Sequence, residues 1–288
     1  MKVWKGFAAL MICGSCLSSL NTEAQGYVDQ AAVAPLLQMQ DGPVPQPVKW
    51  HIYKIGNAQK TTKAVMSKLQ SHLDSLPGDL KGQRMAVVEL TNRVARKYLM
   101  QKHELLVPNS FPADFRAYTP YPTNWPAAAT TAKLFVIDKY TQTFGAYERG
   151  KLVHWGLVST GKEDDKTPTG RYAFNWKQDV RLSSEAPEGE TWEMKWVVNF
   201  NESRGLHVHQ YSLPIAQNAS HGCVRLTEAD ALWNYKWAEK GTPVLVLNYA
   251  PVGLASHWMA AEGNPISMIQ LPDSPMDVPA GNKGFAGR

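Results

Sequence analysis

The alternation of apolar and polar positions changes period once along the chain, between Pro126 and Lys133. Ahead of that point the pattern is helical. In residues 61–76, Val65, Leu69, Leu73 and Leu76 recur three or four apart, with a threonine placed to cap the start and Pro77 beyond the end. In residues 85–100, Val87, Leu90, Val94 and Tyr98 do the same. A strand is expected at 48–55, after the closely spaced Pro43, Pro45 and Pro47, and the prolines of 105–115 forbid a long helix there. Beyond Pro120, Pro122 and Pro126 the pattern turns to short strands. They are expected at 133–138, 143–148, 151–159, 171–176, 195–200, 206–209 and 244–247, the second and third joined as a hairpin by the polar turn ERGK. One helix stands among them at 227–240, with Thr227 as cap, Asp230 where a capping box wants a carboxylate, and Gly241 at its end. The fold class that follows is a mostly β domain, sandwich or barrel-like with one main helix, preceded by a small helical or α+β N-terminal region. No internal repeat is visible.

The ends change the picture. Lys2 and Lys5 precede an apolar run over 6–17 and then Thr22, Glu23 and Ala24, the form of a secretory signal too short to span a bilayer in a mature role. The expected division is a signal peptide over 1–24, an N-terminal region over 25–126, the β domain over 130–250 and a partly mobile C-terminal extension over 251–288. Export to the periplasm or cell wall is the expectation. Gly14 and Ser15 before Cys16 leave a lipid anchor, and hence proximity to a membrane, as the alternative. Loss of the leader takes two Lys and one Glu with it and lowers the formal charge from +5 to +4. That is mildly basic, with no Lys/Arg stripe, and nucleic acid is not an expected partner.

Three cysteines are present, and Cys13 and Cys16 lie in the leader. Cys223 is therefore alone in a protein bound for an oxidising compartment, where an unpaired thiol is a liability unless its chemistry is used. It sits in the stretch SHGCVRL. His207, His209 and His221 are candidate bases, and a strand would turn His207 and His209 to the same face. Gly222 lets a carbonyl approach the backbone, the N–H groups near Gly222 and Cys223 could hold an oxyanion, and Arg225 offers a fork for a carboxylate. Nucleophile, base, oxyanion donors and carboxylate clamp together make a kit for acyl transfer.

The segments GLHVHQ and SHGCVRL, with KLFVID, the Ser159, Thr160 and Gly161 that end the hairpin, and the Thr-Pro-Thr-Gly of 167–170, resemble the signature of the L,D-transpeptidase (YkuD-like) catalytic domain. The resemblance covers about 133–247. It implies a mostly β catalytic domain in which Cys223 is the nucleophile and His207 the general acid/base. It also implies that the Val208 carbonyl holds the imidazole ring, and that Ser220, His221 and Gly222 shape the oxyanion loop. Arg225 matches one branch of the family. His209, Thr169 and Gly170 are possible groove residues, and 176–194 falls where the family has a lid. Peptidoglycan stem peptides are the implied partners, a tetrapeptide donor and an acceptor amine. No cofactor or metal is implied, and carbapenem acylation of Cys223 is a family expectation.

Other readings stay open at this point. Water as acceptor would make the protein an L,D-carboxypeptidase. His207, His209, His221 and Cys223 could instead hold zinc. A third reading is a non-catalytic wall-binding protein. Asn92 and Arg93, with Leu106, Val107 and Pro108, resemble the end of the LysM-like wall-binding modules that often precede this domain, against the plainer reading of a helical packing region.

Overall fold

The run KLFVID is continuous in apolar side chains because both of its faces are covered. In the computed structural model, which describes residues 26–38, 42–55, 62–163, 166–214, 217–248, 269 and 271–281, it is a central strand. The elements in chain order are α1 (Gln30–Val33), β1 (Trp50–Lys54), α2 (Thr62–Ser75), α3 (Arg84–Asn92), β2 (Glu104–Pro108), β3 (Lys133–Asp138), β4 (Thr143–Glu148) and β5 (Lys151–Leu157). There follow β6 (Gly170–Ala173), β7 (Lys177–Leu182), β8 (Glu193–Asn201), β9 (Leu206–Gln210), β10 (Val224–Leu226), α4 (Glu228–Trp237) and β11 (Pro243–Leu247).

Two sheets make the sandwich. One has the order β5-β4-β3-β11-β6, the other β10-β9-β8-β7. Phe135 and Ile137 of β3 and Val244 and Val246 of β11 face the second sheet, where they join Val198, Phe200, Leu206, Val208, Val224 and Leu226. The alternate residues Leu134, Val136, Leu245 and Leu247 face the other way, into a core shared with α2, α3 and β2. There Trp155 of β5 stacks on Phe115 with ring centroids 4.6 Å apart, and its indole N–H donates to the Phe115 carbonyl. The boundary expected near 126–130 is therefore a change of architecture and not a gap between separate cores. Residues on both sides of it fill one apolar cluster.

One expectation is corrected and two are filled in. The helical pattern of 85–100 breaks at Asn92. The Asn92 side chain accepts from the Leu106 N–H and donates to the Leu106 carbonyl, tying the helix end to β2, and Arg93 takes a left-handed φ of 56°. A short 3-10 turn, Arg96–Gln101, follows. The segment LLVP is a strand, paired antiparallel with β1, so after α1 the N-terminal region runs strand–helix–helix–strand. Finally, part of the C-terminal extension is docked. The Pro279 carbonyl accepts from the Arg171 N–H, the Gly281 N–H donates to the Arg171 carbonyl, and Val278 is buried. The signal peptide, Cys16 and residues 251–268, 270 and 282–288 lie outside the described residues. Among the described residues no helix is long and apolar enough to cross a membrane.

Candidate active site

β9 alternates. Val208 is in the core between the sheets, which turns His207 and His209 to the opposite face. β10 runs parallel to β9 with Val224 opposite Val208 and Arg225 opposite His209, so Cys223 arrives beside His207. The Cys223 Sγ is 3.8 Å from the Gly205 carbonyl oxygen and takes a hydrogen bond from the backbone N–H of His207. Cys223, His207, His209, Ser220, His221 and Arg225 all line one cleft of about 110 Å³. Its far wall is the hairpin arm of β7 and β8, including Trp192 and Met194, which is where the resemblance places a lid. The arm springs from a bulge between Lys195 and Val198, with Trp196 at a φ of 54°.

The turn that carries the thiol is fixed from below. Ser220 Oγ donates to the Cys223 carbonyl at 2.5 Å and accepts from the Gly222 N–H at 3.1 Å. Gly222 sits at a φ of 110°, a conformation that side chains rarely adopt. Thr167 Oγ1 donates to the Gly222 carbonyl at 2.8 Å and accepts from the Gly161 N–H at 2.9 Å. Ser159 pairs with Arg225 through both backbone bonds, and the Thr160 carbonyl accepts from the Ala219 and Ser220 N–H groups. Ser159, Thr160, Gly161 and Thr167 thus form a shelf under the turn. Thr167→Val keeps the volume but leaves the Gly161 N–H and the Gly222 carbonyl without this partner, at a cost of about 1–3 kcal/mol for each stranded group. Chemical denaturation should show the loss together with slower labelling of Cys223; unchanged stability would contradict the brace.

Electrostatically, both the Cys223 thiol and the His207 imidazole are held neutral. Burial pushes the Cys223 thiol up to about 11, against the pull of the His207 N–H, Arg225 and Arg181. Burial also takes the His207 imidazole down to about 3, helped by His209 and by the Arg181 charge. Asn199 Nδ2 meets His207 Nδ1 at 3.0 Å, and Asn199 Oδ1 is already taken by Asn175 Nδ2 at 2.7 Å. His209 falls to about 4, again from burial, although its Nδ1–H donates to the Gln210 carbonyl. An ionised thiolate beside an imidazolium, the resting state that a reactive cysteine first suggests, is thus replaced by a thiol beside a neutral base, because desolvation penalises both charges.

The sequence-derived site is otherwise placed as follows. The ring of His207 meets Asn199 where the Val208 carbonyl was expected. The Gly222 N–H is engaged by Ser220, so of the two expected oxyanion donors only the Cys223 N–H remains a candidate. Thr169 and Gly170 line a different pocket, with Val246, Leu247 and Pro279, because the chain has already turned into β6 at Gly170; Thr167 takes the role near the thiol. His221 lies within 3.3 Å of Lys162 Nζ and stacks on Trp192 at 5.6 Å, on the cleft rim. Among the described residues no group of three or more His, Cys, Asp or Glu side chains is placed to hold a metal ion. Sequence reasoning missed Asn199, Trp176, Arg181 and Arg204. Asn199 faces His207 across β8 and β9, and Trp176 packs on the imidazole at 5.1 Å, relations that only strand pairing brings about.

Residues 132–246 match the family model of the L,D-transpeptidase catalytic domain, YkuD. A curated relative from Mycobacterium tuberculosis (strain ATCC 25618 / H37Rv), "Probable L,D-transpeptidase 3", is 33% identical over 111 residues, which are 33% of this chain and 41% of the relative. The chain spans about two fifths of the length of that relative. Among solved structures, an L,D-transpeptidase from Stackebrandtia nassauensis is 25% identical with a TM-score of 0.37, over 41% of this chain and 57% of that one. One from Xylanimonas cellulosilytica is 23% identical with a TM-score of 0.40, over 72% of this chain and 98% of that one.

Proposed function

We propose, from the match of residues 132–246 to the L,D-transpeptidase catalytic domain, that this protein is a peptidoglycan L,D-transpeptidase with Cys223 as nucleophile. The observation that carries the reading is the meeting of Cys223 and His207 in one cleft, over a turn braced by Ser220 and Thr167. In the donor half-reaction the Cys223 sulfur attacks the carbonyl at the L-centre of diaminopimelate in a tetrapeptide stem. As the S–C bond forms, the thiol proton passes to the neutral His207 imidazole and negative charge gathers on the carbonyl oxygen, within reach of the Cys223 N–H. Collapse breaks the C–N bond, the imidazolium returns its proton to the departing amine, and D-Ala leaves. An amine of a second stem then attacks the thioester, His207 takes its proton and gives it to the sulfur, and a 3→3 cross-link results with the thiol restored. Arg225, stacked on Tyr211 at 4.8 Å, is positioned for a stem carboxylate.

A neutral thiol is a slow nucleophile in water, and the arrangement answers that by holding base and sulfur together instead of storing a thiolate. Export through the leader, a location in the periplasm or wall, and acylation of Cys223 by carbapenems belong to the same proposal. So does wall contact by the strand–helix–helix–strand region. Digestion of reaction products and separation of muropeptides tests it. Dimers carrying the 3→3 bond are the expected result; tripeptide monomers alone would make water the acceptor and overturn the transferase.

A further inference from the structure

Three arginines open into the Cys223 cleft: Arg181 from β7, Arg204 from the turn between β8 and β9, and Arg225 from β10. Among the described residues, the cations of ion pairs are Arg96, Arg116, Lys133 and His154, and none of these three takes part. The one carboxylate lining the cleft is Glu185. Arg181 lies over the Trp176 ring at 5.4 Å, and its side-chain hydrogen bond to Gln178 Oε1 is 3.4 Å long. Arg204 reaches the Lys166 carbonyl at 3.4 Å. Each guanidinium has five N–H donors, so both keep most of their hydrogen-bonding capacity uncommitted. Their backbones flank the chemistry. Arg204 precedes Gly205, whose carbonyl the sulfur touches, and Arg181 sits behind the Trp176 ring that packs on His207. Gathered like charges repel, and the cleft that holds them focuses a positive field; an anionic ligand relieves both.

Resting on the donor-stem reading above, we infer that Arg181 and Arg204 form a carboxylate-reading subsite, which makes the enzyme select stems whose side carboxyl groups are free acids over stems in which they are carboxamides. A carboxylate presents two charged acceptors to a guanidinium and pairs with it bidentately. A carboxamide loses the charge, replaces one acceptor with an NH₂ group and sets donor against donor. A charge-assisted contact of this kind is worth about 10- to 100-fold in rate at subsaturating stem.

The test uses the protein with two synthetic tetrapeptide stems that differ only in whether the side carboxyl is an acid or an amide, and follows acylation of Cys223 by intact mass. The expected result is at least about tenfold faster acylation by the acid stem. The R181Q/R204Q double variant should bring the two stems within about twofold of each other, over any change common to both that follows from removing the Arg181 charge near His207 and Cys223, and R181K/R204K should restore part of the preference. Both residues are exposed, so the variants keep the fold. A purely structural effect would slow both stems equally and leave their ratio intact. Equal acylation by both stems, or a preference that survives in the double variant, overturns the subsite and leaves the donor reading standing. Failure of both stems to acylate Cys223 removes the donor reading and this inference with it.

Discussion

Cys223→Ala should reduce transfer and acylation by at least about 10⁴-fold, to background, while leaving the protein folded. The size of the effect follows from the lack of a substitute. The only other cysteines, Cys13 and Cys16, are near the N-terminus of the sequence. The hydroxyl beside it in the turn, Ser220 Oγ, is spent on the Cys223 carbonyl and the Gly222 N–H, and both bonds hold the turn rather than the substrate. The fold should survive because the side chain of Cys223 belongs to the cleft wall and to neither apolar cluster. Cys223→Ser should fail nearly as completely, since a hydroxyl proton is held far more tightly than a thiol proton at the same place. Circular dichroism with a muropeptide or acylation assay checks both variants. A variant that still cross-links would displace the nucleophile from position 223.

The second large effect belongs to His207. His207→Gln should slow acylation by about 10²–10⁴-fold, the usual range for loss of a positioned proton acceptor. The pH behaviour separates this from a packing defect. With its folded value near 3, the ring stays an unprotonated base through pH 5, so the acid limb of kcat/KM should fall well below the range of an ordinary histidine. The stability consequence has the opposite face. The folded value lies below the unfolded one, so the contribution of the neutral ring is fully present above about pH 6.5 and is lost as pH falls toward 3. His209, near 4, behaves alike. Between about pH 4 and 6.5 each ring takes up a proton on unfolding, worth about 1.4 kcal/mol per pH unit. Removing His207 should flatten that slope by about one proton. Denaturant titrations at several pH values read it, and an unchanged slope would mean that the ring is protonated in the folded protein.

Much of the sandwich was legible because its determinants are local. KLFVID reads as a doubly buried strand from its own letters, ERGK as a hairpin turn, and Thr227 with Asp230 as a helix start, which Thr227 Oγ1 confirms by accepting from the Asp230 N–H. The same alternation put His207 and His209 on one face of β9. What was not legible depends on partners distant in the chain. KQDVRL buries no face, its Val180 and Leu182 being exposed, and became β7 only by pairing with β8. Asn199 and Trp176 meet His207 through that pairing, and Thr167 rather than Thr169 reaches the thiol turn because of where the chain enters β6. The neutral state of the thiol and imidazole was likewise invisible, since burial is a property of the closed cleft and not of the motif. The break at Arg93 came from a side chain, Asn92, that found a strand fourteen residues away.

Mass spectrometry of the intact protein mixed with a tetrapeptide stem asks the central question most directly. The predicted result is a mass increase equal to the stem less its terminal D-Ala, mapped to Cys223 and absent from Cys223→Ala. Unchanged mass under conditions where the stem is consumed, or an adduct mapped to any other residue, would contradict the account.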